Sequence, residues 1–183
     1  MYYPEKKILL KNGREALFRS PRAEDAVSMM AFLKTVAGET EFILRYPEEC
    51  NDPEEEEAAF LTGILQSDTK LMIACEIDGE IAGNCQIMFQ ERLKTRHRAR
   101  VAISVLQKYW NLGIGTALFR EMIEAASRRG VLQMELEFIE GNERARHLYE
   151  KMGFRIVSEM PNAVRLRDGS FRKEFVMVKM LAE

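Results

Sequence analysis

The chain has 183 residues, 46% of them hydrophobic, which is enough for one domain with a complete core and requires no second domain. A formal net charge of −2 provides no basic surface to attract nucleic acid or an anionic membrane, and no apolar run approaches the roughly 20 residues that cross a bilayer. We therefore expect a single domain over residues 1–183 that binds neither nucleic acid nor membrane.

The first residues and the cysteines predict a cytoplasmic protein without a metal site. The amino terminus lacks the apolar core of a signal peptide. The three cysteines, Cys50, Cys75 and Cys85, leave one thiol unpaired and lack metal-ligand spacing. Neither His97 nor His147 stands beside a cysteine or carboxylate pattern that is typical of a ligand set.

Residues 16–36 predict a short strand followed by a first helix. The strand covers residues 16–19, and Ser20 and Pro21 then form a typical helix start, with acidic side chains in the next turn. Apolar residues recur at helical spacing at Val27, Met30, Leu33 and Val36. We expect these four side chains to face the core.

A second helix is predicted to begin after Asp52. This residue is a suitable N-cap, Pro53 fits the first helical position, and Glu55 completes a capping box. The side chains expected to face inward are Ala58, Leu61, Ile64 and Leu65.

Residues 70–89 predict two apolar strands joined by an Asp-Gly pair at 78–79, which is favoured in two-residue hairpin turns. In this register Cys75 pairs with Ala82 and does not face Cys85, so we expect no disulfide between the two cysteines. Apolar residues occupy both faces of these strands, which indicates a sheet covered on both sides.

The remaining elements alternate between strands and helices. They are a strand at 99–105, a helix from about 116 to 129, a strand at 133–139, a helix after Asn142, and strands at 155–159 and 171–179. This order predicts an α/β fold with a mixed, mostly antiparallel central sheet and helices on both faces.

The segment after the strand at 99–105 is the most informative part of the sequence. It is a glycine-containing loop that enters a helix: Trp110, Asn111, Leu112, Gly113, Ile114, Gly115 and Thr116. Such a loop directs free backbone N–H groups and the positive end of the helix at an anion. The spacing excludes a dinucleotide fingerprint, because Leu118 stands where the third glycine is required, and no Gly-Lys-Ser/Thr follows to form a P-loop.

A second motif follows the strand at 133–139. Asn142 is a good helix N-cap, and Gly153 supplies the left-handed residue that ends a helix. Apolar side chains recur between them at Ala145, Leu148, Tyr149 and Met152. Taken alone, this pattern describes a helix with a tyrosine that faces the core.

Together the two motifs resemble those of the GNAT N-acetyltransferase superfamily, in the order in which that superfamily carries them. Its pyrophosphate loop is written Arg/Gln-x-x-Gly-x-Gly/Ala after a strand. Gly113 and Gly115 match this pattern, whereas Trp110 stands where arginine or glutamine is usual. The resemblance covers residues 16–180 and implies the acyl-CoA N-acyltransferase fold, with acetyl-CoA as the acyl donor.

The end of the chain is similar to one bacterial branch of this superfamily, which includes spermidine and ribosomal-protein alanine acetyltransferases. The similarity lies in the closing strand, from Asp168-Gly169-Ser170-Phe171 to Met177. That branch often carries aspartate where Lys173 stands here, so the similarity does not assign the acceptor.

The resemblance also implies roles for individual residues. The cofactor-binding residues are Ile103, Ser104, Val105, Trp110, Asn111, Leu112, Gly113, Ile114, Gly115, Thr116 and Asn142. In the superfamily the strand before the loop splays from its neighbour, and its end holds the pantetheine arm as an added strand would. The resemblance thus places the thioester near residues 103–105, where the Val105 N–H stabilises the oxyanion. Tyr149 is the catalytic acid that protonates the leaving thiolate.

The general base is left open by the sequence. Some members of the superfamily carry a glutamate on the strand at 99–105, and this chain has no carboxylate there. The candidates are Glu137, the weaker His97 and a chain of water molecules. The sequence favours an ordinary structural role for both side chains, with Glu137 in an ion pair on the sheet face and His97 in a solvated loop.

We therefore expect an acetyl-CoA-dependent N-acetyltransferase that acts on a primary amine of a small molecule or on a protein N-terminus. The alternatives are a non-catalytic acyl-CoA-binding sensor and an aminoglycoside-modifying enzyme. The acidic residues in 39–57 either attract a basic acceptor or complement a helix dipole. The basic run 92–100 either contacts the 3′-phosphate of CoA or forms a solvated loop. A homodimer is compatible with the sequence, as is a monomer.

Overall fold

The computed structural model describes residues 1–181, which form an eight-stranded sheet and four α-helices. The strands are β1 (Lys6–Leu9), β2 (Glu15–Arg19), β3 (Lys70–Ile77), β4 (Glu80–Phe89), β5 (Arg98–Val105), β6 (Gln133–Ile139), β7 (Arg155–Arg165) and β8 (Phe171–Met180). The helices are α1 (Ala26–Glu39), α2 (Glu54–Gln66), α3 (Ile114–Arg128) and α4 (Glu143–Lys151). None of these four helices is long and apolar enough to cross a membrane.

The sheet is mixed and mostly antiparallel, as predicted. Its strand order is β1-β2-β3-β4-β5-β6-β8-β7, and only the β5–β6 pair is parallel. On one face Asn84 of β4 contacts α1, where its amide nitrogen lies 3.8 Å from Met29 Sδ. On the other face Ile103 of β5 lies against the start of α3 beside Gly115. The predicted helices on both faces are therefore confirmed.

Strands β5 and β6 separate at their carboxyl ends. Their parallel pairing covers only Arg98, Arg100 and the residue between them, opposite Gln133 to Glu135. Beyond this point β5 continues to pair with β4 as far as Val105, and β6 continues to pair with β8. The result is a cleft within the sheet, and one edge of β5 faces into it without a partner strand.

Helix α1 buries a face that only partly matches the predicted one. Its buried side chains are Ala26, Met29, Phe32, Val36 and Ala37. Val36 is buried as predicted and Leu33 packs partly buried against the core, but Val27 is 58% exposed, so the predicted stripe is wrong at its start. Apolar residues surround most of this helix, and contact with the sheet, which spacing does not reveal, selects the buried face.

Helix α2 begins at Glu54, but the predicted cap is wrong. Pro53 is the N-cap residue, and no side chain caps the helix. The Asp52 carboxylate instead pairs with Arg45, with 2.7 Å between Oδ2 and the guanidinium nitrogen. The inward positions Leu61 and Ile64 are confirmed, and the buried Glu57 was not predicted.

The β3–β4 hairpin has the predicted two-residue turn, with Ile77 opposite Glu80. Farther from the turn the predicted register is wrong, because Cys75 pairs with Gly83 and not with Ala82. A β-bulge at this point places one extra residue in β4, and the simple hairpin pattern did not contain it.

Gly83 fits the bulge because a side chain there has no room. A Cβ atom would lie 2.9 Å from the Ser104 carbonyl oxygen of β5. The new register leaves Cys75 and Cys85 as free thiols in the core, in agreement with the expected absence of a bond between them. Burial raises the pKa of Cys75 to about 12 and also raises that of Cys85.

Candidate active site

The loop before α3 has the conformation of an anion site. Asn111 and Gly113 both adopt left-handed backbone angles, with φ of 65° and 92°. Gly113 is the N-cap, and no side chain caps the helix. The N–H groups of Ile114, Gly115 and Thr116 occupy the first helical turn, where they have no intrahelical acceptor. These groups and the helix dipole would bind a phosphate.

The two sequence motifs meet in space at Gly115. A Cβ atom on this residue would lie 2.8 Å from Leu148 Cδ2 of α4. The absence of a side chain therefore lets the start of α3 pack closely against Leu148, whose side chain would have to shift to admit a Cβ atom. Ile114, in contrast, is buried in the core and can contribute only its backbone N–H to the site.

Trp110 connects the loop to the end of β5. Its indole Nε1 donates a hydrogen bond to the Val105 carbonyl oxygen at 2.8 Å. The guanidinium of Arg144, on α4, lies 4.3 Å from the centre of the Trp110 ring and donates a hydrogen bond to Asn111 Oδ1 at 2.8 Å. Trp110 occupies the motif position where arginine or glutamine is usual. An arginine from α4, Arg144, therefore lies beside that position.

Lys11 is a second cation that the sequence motifs did not reveal. It lies in the turn between β1 and β2, and its backbone N–H donates to the Leu112 carbonyl oxygen at 3.1 Å. Its side-chain carbons lie against Gly113. Nothing near Lys11 in the sequence marks it as functional, because only the fold brings this turn to the loop.

Alternate residues of β5 direct their backbone groups into the cleft. Leu106 N–H donates to Ala82 of β4, and the Arg98 carbonyl accepts from the segment after β4. Even-numbered residues thus bond to β4, and Ile103 and Val105 direct their N–H and carbonyl groups at the cleft. Ser104 does not, because its backbone bonds to β4 opposite Asn84.

Tyr149 is held in an aromatic cluster beside the cleft. It is 7% exposed and makes edge contacts with Phe119, Phe138 and Phe154, at centroid distances of 5.6, 6.1 and 6.5 Å. Burial raises the pKa of its hydroxyl to about 12, so the phenol is protonated at neutral pH.

Asn142 begins α4 as the sequence indicated. Its Oδ1 accepts a hydrogen bond from the Ala145 N–H at 3.2 Å. The amide NH₂ is the remaining donor of this side chain, and a contact between Asn142 and a cofactor remains a prediction.

A comparison with protein families agrees with this geometry. The model of the GNAT acetyltransferase family matches residues 38–154, which include α2, the separated strands, the anion loop, α3 and α4. The chain belongs to the GNAT acetyltransferase family. The family assignment made from the two sequence motifs is thereby confirmed.

Individual relatives of this acetyltransferase support the assignment. An L-amino acid N-acetyltransferase of Escherichia coli K12 is 33% identical over 112 residues, which are 61% of this chain and 68% of the relative. A GNAT acetyltransferase structure from Streptococcus pneumoniae has a TM-score of 0.83 at 31% identity, covering 90% of this chain and 99% of the other.

Acetyl-CoA is the acyl donor of this family. An acetyltransferase from Salmonella typhimurium, solved with its cofactor acetyl-CoA, has a TM-score of 0.77 at 17% identity, covering 91% of this chain and 94% of the other. In the present acetyltransferase, the uncapped turn at Gly113 and the adjacent Lys11 fit a diphosphate in sign and in donor type.

The two side chains considered as the general base of the acetyltransferase lie in different places. Glu137 is half exposed on the α1 and α2 side of β6, with Oε1 3.5 Å from the Arg100 guanidinium. His97 is exposed before β5, about 26 Å of extended chain away from Val105. The basic run 92–100 lies at that same far end from the anion loop.

Within residues 1–181, no group of three or more His, Cys, Asp or Glu side chains is arranged to hold a metal ion.

Proposed function

We propose that the protein transfers the acetyl group of acetyl-CoA to a primary amine by direct attack in a ternary complex. The acceptor is a small-molecule amine or a protein N-terminus, and the Escherichia coli relative named for L-amino acids makes α-amines the first class to test. One observation carries this proposal: the unpaired edge of β5 ends at an uncapped helix.

In this proposal the pantetheine arm lies along the free edge of β5, as an added strand would. The carbonyl group of Ile103 accepts from its amides, since that of Val105 already accepts from the Trp110 indole, and the Val105 N–H is aimed at the thioester oxygen. When the amine nitrogen attacks the carbonyl carbon, this N–H stabilises the negative charge that develops on oxygen.

Tyr149 acts on the leaving group. The C–S bond breaks and its electron pair remains on sulfur, which must be stabilised as a thiolate. A thiol has a pKa of about 8.5, so a phenol with a pKa of about 12 holds its proton more firmly than the thiolate does. We propose that Tyr149 donates a hydrogen bond to the sulfur, which then takes a proton from water, while the proton that the nitrogen loses as the amide forms returns to that water.

The attacking amine must lose a proton before it can react. Glu137 is paired with Arg100, and His97 lies at the far end of β5. We therefore propose that water accepts this proton. The reaction then follows the fraction of neutral amine, and its rate should rise with pH up to the pKa of the acceptor.

The test of this mechanism is Tyr149→Phe. Loss of a hydrogen bond to a charged group, worth about 1.5–3 kcal/mol, should lower kcat at least tenfold. The affinity for acetyl-CoA, measured by calorimetry, should stay within twofold. The exposed Tyr2→Phe is the matched control. An unchanged kcat in Tyr149→Phe removes this residue from the mechanism.

A non-catalytic acyl-CoA sensor is the second candidate, because no β5 residue from Arg98 to Val105 is a carboxylate that could assist the acceptor. A thiol-release assay over a panel of amines separates the two functions. Binding of acetyl-CoA without release of CoA on any amine supports the sensor and contradicts the enzyme.

A further inference from the structure

A cavity of about 390 Å³ lies between α1, α2 and strands β3 and β4. It lies on the face of the sheet opposite to α3. Part of its wall is apolar, formed by Met29 and Leu33 of α1 and Phe60 of α2. The rest is polar, and its most unusual member is Glu57.

Glu57 is a buried carboxylate that lacks a donor. The residue is 8% exposed, and its Oε1 has no hydrogen-bond partner in the part of the chain that the structure describes. Burial raises the pKa of this carboxyl, and Asp52 raises it further, whereas Arg45 lowers it. Buried carboxylates are normally paired. An N–H donor on a molecule in the cavity would complete the coordination of Glu57.

The cavity is next to the cleft that receives the acyl donor. Asn84 and Gln86 of β4 line it. Their direct partners on β5 are Ser104 and Ala102, at the end of β5 that is unpaired on its other edge. In the proposed complex β5 lies between the cavity and the pantetheine arm, so at about 4.8 Å per strand spacing the two are about 10 Å apart.

The charges of the cavity favour a cation and disfavour an anion. Its acidic side chains are Asp52, Glu56 and Glu57, and its one basic side chain within residues 1–181 is Arg45. Arg45 is already engaged, because it pairs with Asp52 and donates to the Glu49 carbonyl oxygen. A carboxylate that entered here would meet no available cation and two further carboxylates.

We propose that this cavity is the acceptor site, that Glu57 accepts hydrogen bonds from the ammonium group of the acceptor, and that the acceptor carries no carboxylate beside that group. The substrate class is thus an amine or an amino-acid amide with an apolar body, and not a free amino acid. The proposal rests on the proposed function. Glu57 thus gives the acceptor an acidic partner on α2, whereas β5 from Arg98 to Val105 has no acidic side chain.

The test compares two ligands that differ only in the carboxyl group, L-leucinamide and L-leucine, by calorimetry on protein saturated with CoA. At a pH of about 6.5 both carry an ammonium group. The wild-type protein should bind the amide at least tenfold more tightly than the acid. Glu57→Gln should weaken binding of the amide at least tenfold, whereas Glu55→Gln, an exposed neighbour in the same helical turn, should change it less than twofold.

The proposal is overturned if the two ligands bind with equal affinity or if neither binds measurably. It is also overturned if the Glu57→Gln variant binds leucinamide as tightly as the wild type does. The ligand comparison needs no variant, and thermal unfolding of Glu57→Gln shows whether that variant is folded. Calorimetry with acetyl-CoA tests the proposed function separately. If acetyl-CoA does not bind, the leucinamide titration on the free protein still tests Glu57.

Discussion

Lys11 shows how a single residue can belong to a site that its sequence neighbourhood does not indicate. The lysine is in a short turn between the first two strands, and its side chain lies along Gly113 of the anion loop. Arg144 reaches the same loop from α4. Neither residue belongs to a position that the motif specifies, so three-dimensional proximity is what identifies them.

For Lys11→Met we expect weaker binding of acetyl-CoA. An exposed charge pair contributes about 0.5–1 kcal/mol, which corresponds to roughly a two- to fivefold higher Kd. The difference from wild type should shrink as salt is raised, because exposed charges are screened. Calorimetry at low and high ionic strength measures it, with Lys94→Met at the far end of β5 as the control. A loss of affinity that is independent of salt contradicts an electrostatic role.

Glu57 should affect stability in a pH-dependent way. Its folded-state pKa is raised above the ordinary value of 4.5, so the folded protein binds this proton more tightly than the unfolded chain does. By linkage, the wild type loses stability as pH rises from about 4.5 through the folded-state pKa. Glu57→Gln does not lose this contribution.

The Tm of Glu57→Gln minus that of wild type should therefore be larger at pH 8 than at pH 4.5. Thermal unfolding at both values measures it, and other titrating groups cancel in the difference. Asp52, Glu56 and Arg45 are the charged groups that face the same cavity. A difference that does not change with pH would mean that Glu57 has the same pKa in the folded and unfolded states.

At the scale of elements, strands and helices were predictable where periodicity was clear, and their registers were not. The Asp-Gly turn of the hairpin followed from turn chemistry, but the bulge at Gly83 depends on the approach of β5. The sequence around Asp52 fits a helix cap when it is considered alone, but in the structure the Asp52 carboxylate pairs with Arg45 and does not cap α2. In the first case a strand distant in sequence decided the outcome, and in the second an arginine seven residues earlier in the chain did so.

Two glycine substitutions should have opposite effects on stability. In Gly83→Ala the new Cβ would lie 2.9 Å from a backbone oxygen, and overpacking of this kind costs about 1–3 kcal/mol. Gly63 lies within α2 with no atom within 4 Å of a new Cβ, so Gly63→Ala should stabilise by about 0.5–1 kcal/mol. Urea unfolding of both variants measures this. A stable Gly83→Ala would show that β4 and β5 can separate.

At the scale of the whole molecule, the order of two short motifs was sufficient to predict the family and the general fold. Each motif alone was ambiguous, since Gly113 and Gly115 could form an ordinary turn and Tyr149 an ordinary core residue. The structure brings them together where Gly115 meets Leu148. The cleft between β5 and β6 was predicted only through the family resemblance, because sequence patterns by themselves identify strands but not the point at which neighbours separate. Glu57 was missed because its acidic neighbours at the start of α2 suit the helix dipole.

The presence of a tryptophan in the anion loop has a practical consequence for measuring how the coenzyme binds. Trp110 is the only tryptophan of the chain, and its indole contacts the end of β5 and Arg144. The tryptophan fluorescence of the protein therefore arises entirely from the mouth of the cleft. Excitation of this one fluorophore provides an unlabelled optical signal for coenzyme entry, and stopped-flow mixing could follow binding before any turnover occurs.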